Sequence, residues 1–310
     1  MVDGELAAWW GVLGLLVVSG LGALVALLFI AAPFGKFANS AWGPLLDGRL
    51  SWGLFEAIPL AAFWTSLLVG VDARSLGGVQ WAVAGLFSLH YINRSLVYTV
   101  RAPAIAPIPL VVSLAAAAFN SLNGYANGRW VSVFGDGVLK ATKPYDPRFL
   151  VGLVMFGVGM WINISSDNIL FALRRKRTRQ QAEAQPQGET QTQGSAEHAA
   201  DAAPQKGRGY SIPRGGLFEL VSCPHYFGEF VEWAGFAIAA ASPAGAVFVF
   251  FTMANLVPRA LKQHAWYRET FGDQYPANRK AVFPYVLCRR RRHCGWWHGW
   301  QLYKHRCSFI

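Results

Sequence analysis

The sequence predicts an all-α membrane protein, built as a bundle of seven transmembrane helices. Hydrophobic residues make up 53% of the 310 residues and charged residues 15%, whereas a soluble domain carries roughly 25% charged residues. Residues 6–35 and 233–258 contain no charged residue at all. Because about 20 apolar residues cross a bilayer core, each of these stretches is long enough to span a membrane.

The apolar segments divide into seven predicted spans. The first is too long for a secretion signal, and no basic residue precedes it. The sixth and seventh spans form a tight hairpin that breaks at Ser242 and Pro243, since proline cannot continue a helix. The predicted spans lie near residues 7–32, 53–71, 78–100, 103–125, 149–172, 224–241 and 243–260.

The basic residues predict the orientation of the bundle. With the N-terminus outside, the cytosolic segments hold Lys36, Arg101 and the basic run at 174–179. An excess of Lys and Arg marks cytosolic flanks, so we expect a cytosolic C-terminus. The protein is then a multi-pass integral membrane protein, of the endoplasmic reticulum if eukaryotic and of the inner membrane if bacterial.

The net charge of +11 follows from these flanking clusters. No base-stacking or groove-reading module accompanies the charge, so we expect no nucleic-acid partner. Membrane lipid is the expected surrounding, and we expect the protein to be monomeric.

Residues 1–285 are predicted to form one membrane domain, followed by a basic tail at 286–310 whose role is unknown. Within the domain, the connection 173–208 contains a segment at 180–206 that is rich in Gln, Ala, Glu and Thr and has no aromatic residue. Such a composition cannot bury enough apolar surface to offset the entropy of ordering, which predicts a disordered cytosolic loop. The Cys and His residues of the tail match no zinc-binding spacing, and no metal site is expected.

Ionisable groups inside membrane spans are costly, so each one is a candidate functional residue. Tyr91, Arg94 and Tyr98 share one face of the third span, because they recur at three- and four-residue spacing. Such groups also snorkel to the interface or pair between helices. Five of the seven spans contribute polar groups near the predicted cytosolic side, however, and a shared cavity opening to that side explains this better.

A cavity lined by Arg, Asn, Asp, Tyr and His suits a large anionic ligand such as a dinucleotide, since arginine pairs with phosphate through charge-assisted hydrogen bonds. The usual dinucleotide fingerprint is absent from the sequence. The nearest match, at residues 20–25, lacks the last glycine and lies inside a span.

Four motifs in the last third of the chain resemble the steroid 5α-reductase family. They are the stretches at residues 209–219, 221–229, 266–271 and 275–281. Parts of the third and fifth spans are also similar to the family, through His90, Tyr91, Arg94, Val97 and Tyr98 and through residues 161–167. The resemblance runs from about residue 56 to residue 285, and the loop and the tail depart from it.

The resemblance implies a seven-helix enzyme that passes a hydride from NADPH to the C4–C5 double bond of a 3-oxo-Δ4 steroid. By motif position, Glu56 and Tyr91 would hydrogen-bond the C3 carbonyl. His225 stands where some family members have Asn. The residues implied to contact or adjoin the cofactor are Arg94, Asn163, Asp167, Arg174, Tyr210, His225, Glu229, Trp233, Arg259 and Tyr267.

Elementary chemistry agrees with these roles. Hydride addition to an enone builds negative charge on the carbonyl oxygen, and donors aimed at that oxygen lower the barrier. Tyr91 donates directly, whereas Glu56 must be protonated to donate. A lipophilic steroid substrate enters such an enzyme from the bilayer.

Three alternatives remain open. The first is a related lipid reductase acting on a trans-2-enoyl thioester or a polyprenol. The second is a membrane methyltransferase with a similar C-terminal half, which would bind S-adenosylmethionine. The third is a transporter or a non-catalytic scaffold, which would bind no cofactor. The steroid branch is favoured by Glu56 together with Arg94, Val97 and Tyr98.

Overall fold

The structure, a computed structural model, describes residues 2–33, 35–183 and 210–285. These residues are mostly helical, and one two-stranded antiparallel sheet accompanies the helices. The helices are α1 (Val2–Phe29), α2 (Gly48–Leu68), α3 (Gly78–Ile92), α4 (Tyr98–Arg101), α5 (Leu110–Arg129), α6 (Asp136–Ala141), α7 (Pro147–Glu183), α8 (Pro224–Ala240) and α9 (Pro243–Phe271). The strands are β1 (Leu45–Leu46) and β2 (Ile108–Pro109).

Shorter helical turns lie between these elements. Two π-helical turns, Asn93–Val97 and Trp130–Phe134, continue α3 and α5 without a break. The 3₁₀ turns are Gly35–Phe37, Ser40–Trp42, Ala73–Ser75, Gly216–Glu219 and Gly272–Gln274.

Each predicted span overlaps one long helical segment of the structure. By length and composition, three of the described helical stretches are able to cross a membrane, namely Asp3–Phe29, Pro147–Gln180 and Pro243–Gln274. Many large apolar side chains of α1 face outward, among them Val18, Val25 and Phe29. An outward-facing apolar surface of this kind fits a lipid environment.

The fourth span begins later than predicted. The sequence predicted a helix from residue 103, whereas α5 starts at Leu110. Proline at positions 103, 107 and 109 explains the difference, because proline removes a backbone donor and biases the preceding residue toward extended conformations. The extended segment ends in β2, which pairs with β1.

Helix α7 is longer than the predicted fifth span and continues to Glu183. Its last turn therefore occupies residues 180–183, where a disordered loop was expected. This stretch consists of Gln, Ala and Glu, which are all good helix formers. The rest of the predicted loop, and the tail at 286–310, lie outside the described residues.

The predicted break between the last two spans is confirmed. Ala241 ends α8 in the left-handed conformation, with φ of 47°. Ser242 then caps α9, because its hydroxyl accepts a hydrogen bond of 2.9 Å from the Gly245 N–H, and Pro243 occupies the first turn. Serine as the cap and proline in the first turn are the residues that start a helix best.

Glycines bring α7 and α8 into backbone contact. Gly152 and Gly159 on α7 face Gly228 and Gly235 on α8. The two glycines on each helix are about two turns apart and so lie on the same face. A Cβ atom at Gly235 would collide with the backbone of α7 at Phe156. Small residues at such spacing let helix backbones approach closely, and packing then stabilises the pair. Gly124 and Gly128 of α5 make the same approach to α2.

This packing predicts opposite effects for alanine at two neighbouring glycines of α7. The added Cβ of Gly159→Ala would collide with the backbone of Glu232 and lie 2.6 Å from the carbonyl oxygen of Gly228. Overpacking of this kind costs about 1–3 kcal/mol of stability. Gly157→Ala is the matched control, because its Cβ meets nothing within 4 Å, and alanine favours a helix over glycine by about 1 kcal/mol. Thermal unfolding in detergent measures both, and equal midpoints would contradict the packing described.

Candidate active site

A cavity of about 640 Å³ lies where the C-terminal part of α7, the start of α8 and the second half of α9 meet the extended segment before α5. Its charged lining residues are Arg174, Arg177, Arg259 and Lys262. Among the described residues that line it, none is acidic. A cavity lined by positive charges alone attracts an anionic ligand, and arginine binds phosphate particularly well.

Tyr210 forms one wall of this cavity, where the chain re-enters the described structure. The Arg177 guanidinium lies over its ring, 4.3 Å from the centroid, and the Trp266 ring meets it edge-on at 5.1 Å. A cation over an aromatic face is attracted by the ring quadrupole. Deeper in α9, Tyr267 is buried and stacks on Tyr275, with ring centroids 5.3 Å apart.

The turn after Tyr210 depends on glycine and on one carboxylate. Gly215 and Gly216 have φ of +90° and +53°, a region that side-chain-bearing residues rarely adopt. The Glu219 carboxylate accepts a hydrogen bond of 2.7 Å from the Gly215 N–H. This bond holds the pKa of the Glu219 carboxyl below its usual range, and nearby Arg279 adds to the effect.

Next to the cavity, Arg94 is the centre of a partly buried charged cluster. Its guanidinium lies 3.6 Å from the Asp167 carboxylate and over the rings of Trp52 and Tyr98, at 4.9 and 4.8 Å. It also interacts electrostatically with the Glu229 and Glu56 carboxyl groups. Because Tyr98 also lines the cavity, the cluster and the cavity share a wall.

The π-helical turn that follows α3 contributes to this arrangement. Within this turn, the Arg94 carbonyl accepts a hydrogen bond of 3.2 Å from Trp52 Nε1. Such turns are frequent at functional sites. The bond joins α2 to the segment that carries Arg94.

Tyr91 lies next to this charged cluster and is 2% exposed. Its hydroxyl accepts a hydrogen bond of 3.2 Å from Asn123 Nδ2, and it interacts electrostatically with Glu56 and Glu229. The Trp233 ring lies 5.7 Å from the Tyr91 ring. A phenol from α3 and a carboxyl group from α2 are therefore close to one another in a buried, polar environment.

The structure divides the predicted site residues into two adjoining groups. Asn163 is joined to the cavity group, because its Nδ2 donates to the His225 carbonyl at 3.0 Å. The cavity is lined by Arg174, Tyr210, His225, Arg259 and Tyr267. The cluster next to it contains Glu56, Tyr91, Arg94, Asp167, Glu229 and Trp233.

Sequence reasoning missed two features of this region. One is Asn123. Its three- and four-residue spacing from Asn120 and Asn127 predicts a polar stripe on α5, which could have indicated a functional face. The other is the buried contact between His90 Nδ1 and Glu232 Oε1, at 2.8 Å, which joins α3 to α8. Both residues stood out as polar groups, but nothing in the sequence pairs positions so far apart.

Comparison with known proteins identifies the family. The family profile described as 3-oxo-5-alpha-steroid 4-dehydrogenase matches residues 106–191 and 187–287. A steroid 5-alpha-reductase of Gossypium hirsutum is 36% identical over 275 residues, which cover 87% of this chain and 94% of the relative. The 3-oxo-5-alpha-steroid 4-dehydrogenase 1 of Rattus norvegicus is 36% identical over 266 residues, which cover 86% and 90%. The chain belongs to the 3-oxo-5-alpha-steroid 4-dehydrogenase family.

Membership in the 3-oxo-5-alpha-steroid 4-dehydrogenase family implies a nicotinamide cofactor, and the residues present fit such a group. The Nδ1 atom of His225, a residue that lines the cavity, is buried and has no hydrogen-bond partner among the described residues. Buried polar atoms are normally paired, so an unpaired one beside a cavity indicates a ligand that is polar as well as charged. The cationic lining suits the phosphates of a dinucleotide.

Proposed function

We propose that this family member reduces the C4–C5 double bond of a 3-oxo-Δ4 steroid, with NADPH as the hydride donor. The carrying observation is that buried Tyr91 and half-buried Glu56 interact with Arg94, which lies over Tyr98, a residue of the cationic cavity's lining. The cavity suits a phosphate-bearing cofactor. The adjoining cluster offers two hydrogen-bond donors, Glu56 and Tyr91, to a single carbonyl oxygen.

The proposal includes the arrangement in the membrane. Residues 1–285 act as one reductase domain of seven spans, monomeric and surrounded by lipid, with the N-terminus outside and the cavity open to the cytosol. The support is the position of Arg174 and Arg177, which line the cavity and belong to the basic run predicted to be cytosolic. A soluble nucleotide reaches the cavity from the cytosol, whereas a lipophilic steroid enters from the bilayer.

Within the proposed site, each residue has a defined task. NADPH, when bound, supplies the hydride. Arg174 and Arg259 hold its phosphates through charge-assisted hydrogen bonds, and His225 donates to its polar groups. Tyr91 donates to the substrate carbonyl oxygen, where negative charge develops, and protonated Glu56 donates to the same oxygen. The tight packing around Trp233 excludes water from the reacting atoms.

The runner-up is a related reductase of a trans-2-enoyl thioester or a polyprenol. Each of the relatives described above carries a steroid reductase or steroid dehydrogenase name, which supports the steroid substrate. NADPH oxidation by the purified protein with a 3-oxo-Δ4 steroid, compared with an enoyl thioester and a polyprenol, separates these substrates.

The first prediction concerns the two proposed donors. Removing one oxyanion donor costs on the order of 3 kcal/mol, or about a hundredfold in rate, so Tyr91→Phe and Glu56→Ala should lose about that much steroid turnover. Glu56→Gln should lose less, since the amide still donates. NADPH affinity should barely change in any of them, because the proposed cofactor contacts are other residues.

Tyr145→Phe is the control for this experiment, since Tyr145 is 74% exposed. Turnover and NADPH affinity are measured on the same purified variants. Wild-type turnover in Glu56→Ala would end the proposed mechanism. Joint loss of stability and cofactor binding would show that Glu56 only holds helices together.

The second prediction concerns the choice of NADPH over NADH. Arg174→Gln and Arg177→Gln should each raise the KM for NADPH about tenfold, because a charge-assisted hydrogen bond contributes about 1.5–3 kcal/mol. The KM for NADH, which lacks the extra phosphate, should change much less. Arg179→Gln is the matched control, since Arg179 is on the same helix but does not line the cavity. Equal catalytic efficiency of the wild-type protein with NADH would contradict the proposal.

A further inference from the structure

Two buried asparagines on α5 connect to the Tyr91 hydroxyl. Asn123 and Asn127 are each 1% exposed. Asn127 Nδ2 lies 3.0 Å from the backbone carbonyl oxygen of Asn123 and 3.0 Å from its Oδ1. Asn123 Nδ2 in turn lies 3.2 Å from the Tyr91 hydroxyl oxygen. The three side chains form one chain of hydrogen bonds from α5 to α3.

The direction of this chain follows from its first link. The oxygen and nitrogen of a side-chain amide have nearly the same shape, so its hydrogen-bond partners must decide its orientation. The backbone carbonyl of Asn123 only accepts, and the Asn127 atom that faces it is therefore the donor Nδ2. The same Nδ2 faces the second Asn123 oxygen, which must then be Oδ1. Asn123 Nδ2 is left to face Tyr91.

Tyr91 therefore accepts a hydrogen bond from α5 and cannot return its own proton to Asn123. We propose that Asn123 is a positioning residue that reserves the Tyr91 hydroxyl proton for the substrate carbonyl oxygen, and that Asn127 holds Asn123 in the required orientation. The inference deepens the proposed function and rests on it, because it concerns the donor role of Tyr91.

The chain should affect the rate more than substrate binding. As charge builds on the carbonyl oxygen, Tyr91 donates more strongly and its own oxygen becomes more negative. A donor on that oxygen strengthens in step, because hydrogen bonds in a chain polarise one another. An interaction that is stronger in the transition state than in the ground state raises kcat and leaves KM nearly unchanged.

The test uses two substitutions at one position. Asn123→Ala removes the donor, and kcat should fall about tenfold, which corresponds to the loss of one hydrogen bond of about 1.4 kcal/mol. Asn123→Asp replaces the donor with an acceptor that takes the Tyr91 proton. Its kcat should fall about a hundredfold, as for Tyr91→Phe, while the KM for the steroid stays within a few-fold of the wild-type value.

A double substitution separates positioning from general damage. If Asn123 acts through Tyr91, Asn123→Ala should lower kcat no further in the Tyr91→Phe background, because contacting residues are not additive. Asn120→Ala is the matched control. It removes another buried amide from α5, which donates to the Phe55 carbonyl at 2.6 Å and not to Tyr91. It should lower thermal stability but keep kcat within a few-fold.

Two results would overturn the inference: wild-type kcat in Asn123→Ala, or the same tenfold loss with and without the Tyr91 hydroxyl. If Asn123→Ala does not fold, Asn127→Leu carries the same test. Its expected loss is smaller, about threefold in kcat, and should also vanish in the Tyr91→Phe background. Failure of the proposed function itself looks different, because the unsubstituted protein would then not reduce a 3-oxo-Δ4 steroid.

Discussion

The close packing of α7 against α8 is the constraint on which the rest of the site depends. Helix α7 carries Asn163 and Asp167, and α8 carries Glu229 and Trp233. These side chains reach a common region only because Gly159 and its neighbours let the two backbones touch. In a bilayer, the apolar surface of a helix gains little by leaving lipid, so helices associate through shape and hydrogen bonds. The glycines therefore position the site as well as stabilising the fold.

Arginine has two distinct uses in this molecule. At the end of the bundle away from the cavity, Arg148 donates to the carbonyl oxygens of Ile238 and Ala239, and Arg129 donates to that of Val69. These carbonyl groups end α8 and α2, where a cation interacts favourably with the helix dipole. Near the cavity, arginines instead line a space to whose wall the described residues contribute no acidic side chain. Some arginines are therefore placed by contacts within the protein, in addition to the preference of cations for the cytosolic side of the membrane.

Local chemistry explains which features the sequence could predict. The hairpin at Ser242 and Pro243 was predictable because capping and proline geometry act within a few residues. The predicted start of the fourth span was wrong, because it followed the apolar composition from residue 103 onward. The prolines in that stretch keep the chain extended until α5 starts at Leu110.

Contacts between residues far apart in the chain could not be predicted from the sequence. Asn123 meets Tyr91 from 32 positions away, and the partner of Glu232 lies 142 positions away. The π-helical turn at Arg94 depends on tertiary packing, and no single-residue preference indicates it. Family motifs supplied the candidate residues, but only the folded arrangement shows that they form two adjoining groups.

The one-sided charge of the cavity has a consequence for the lifetime of the protein. Four cations around a single space repel one another, so the folded state gains stability when an anion enters. A ligand that binds only the folded form stabilises it by RT ln(1 + [L]/Kd), about 2.7 kcal/mol at a hundredfold excess over Kd. If that anion is the proposed nucleotide, chains made when it is scarce should unfold and be cleaved by proteases more often. Under the proposed function, the steady-state abundance of the protein should therefore follow the supply of the nucleotide.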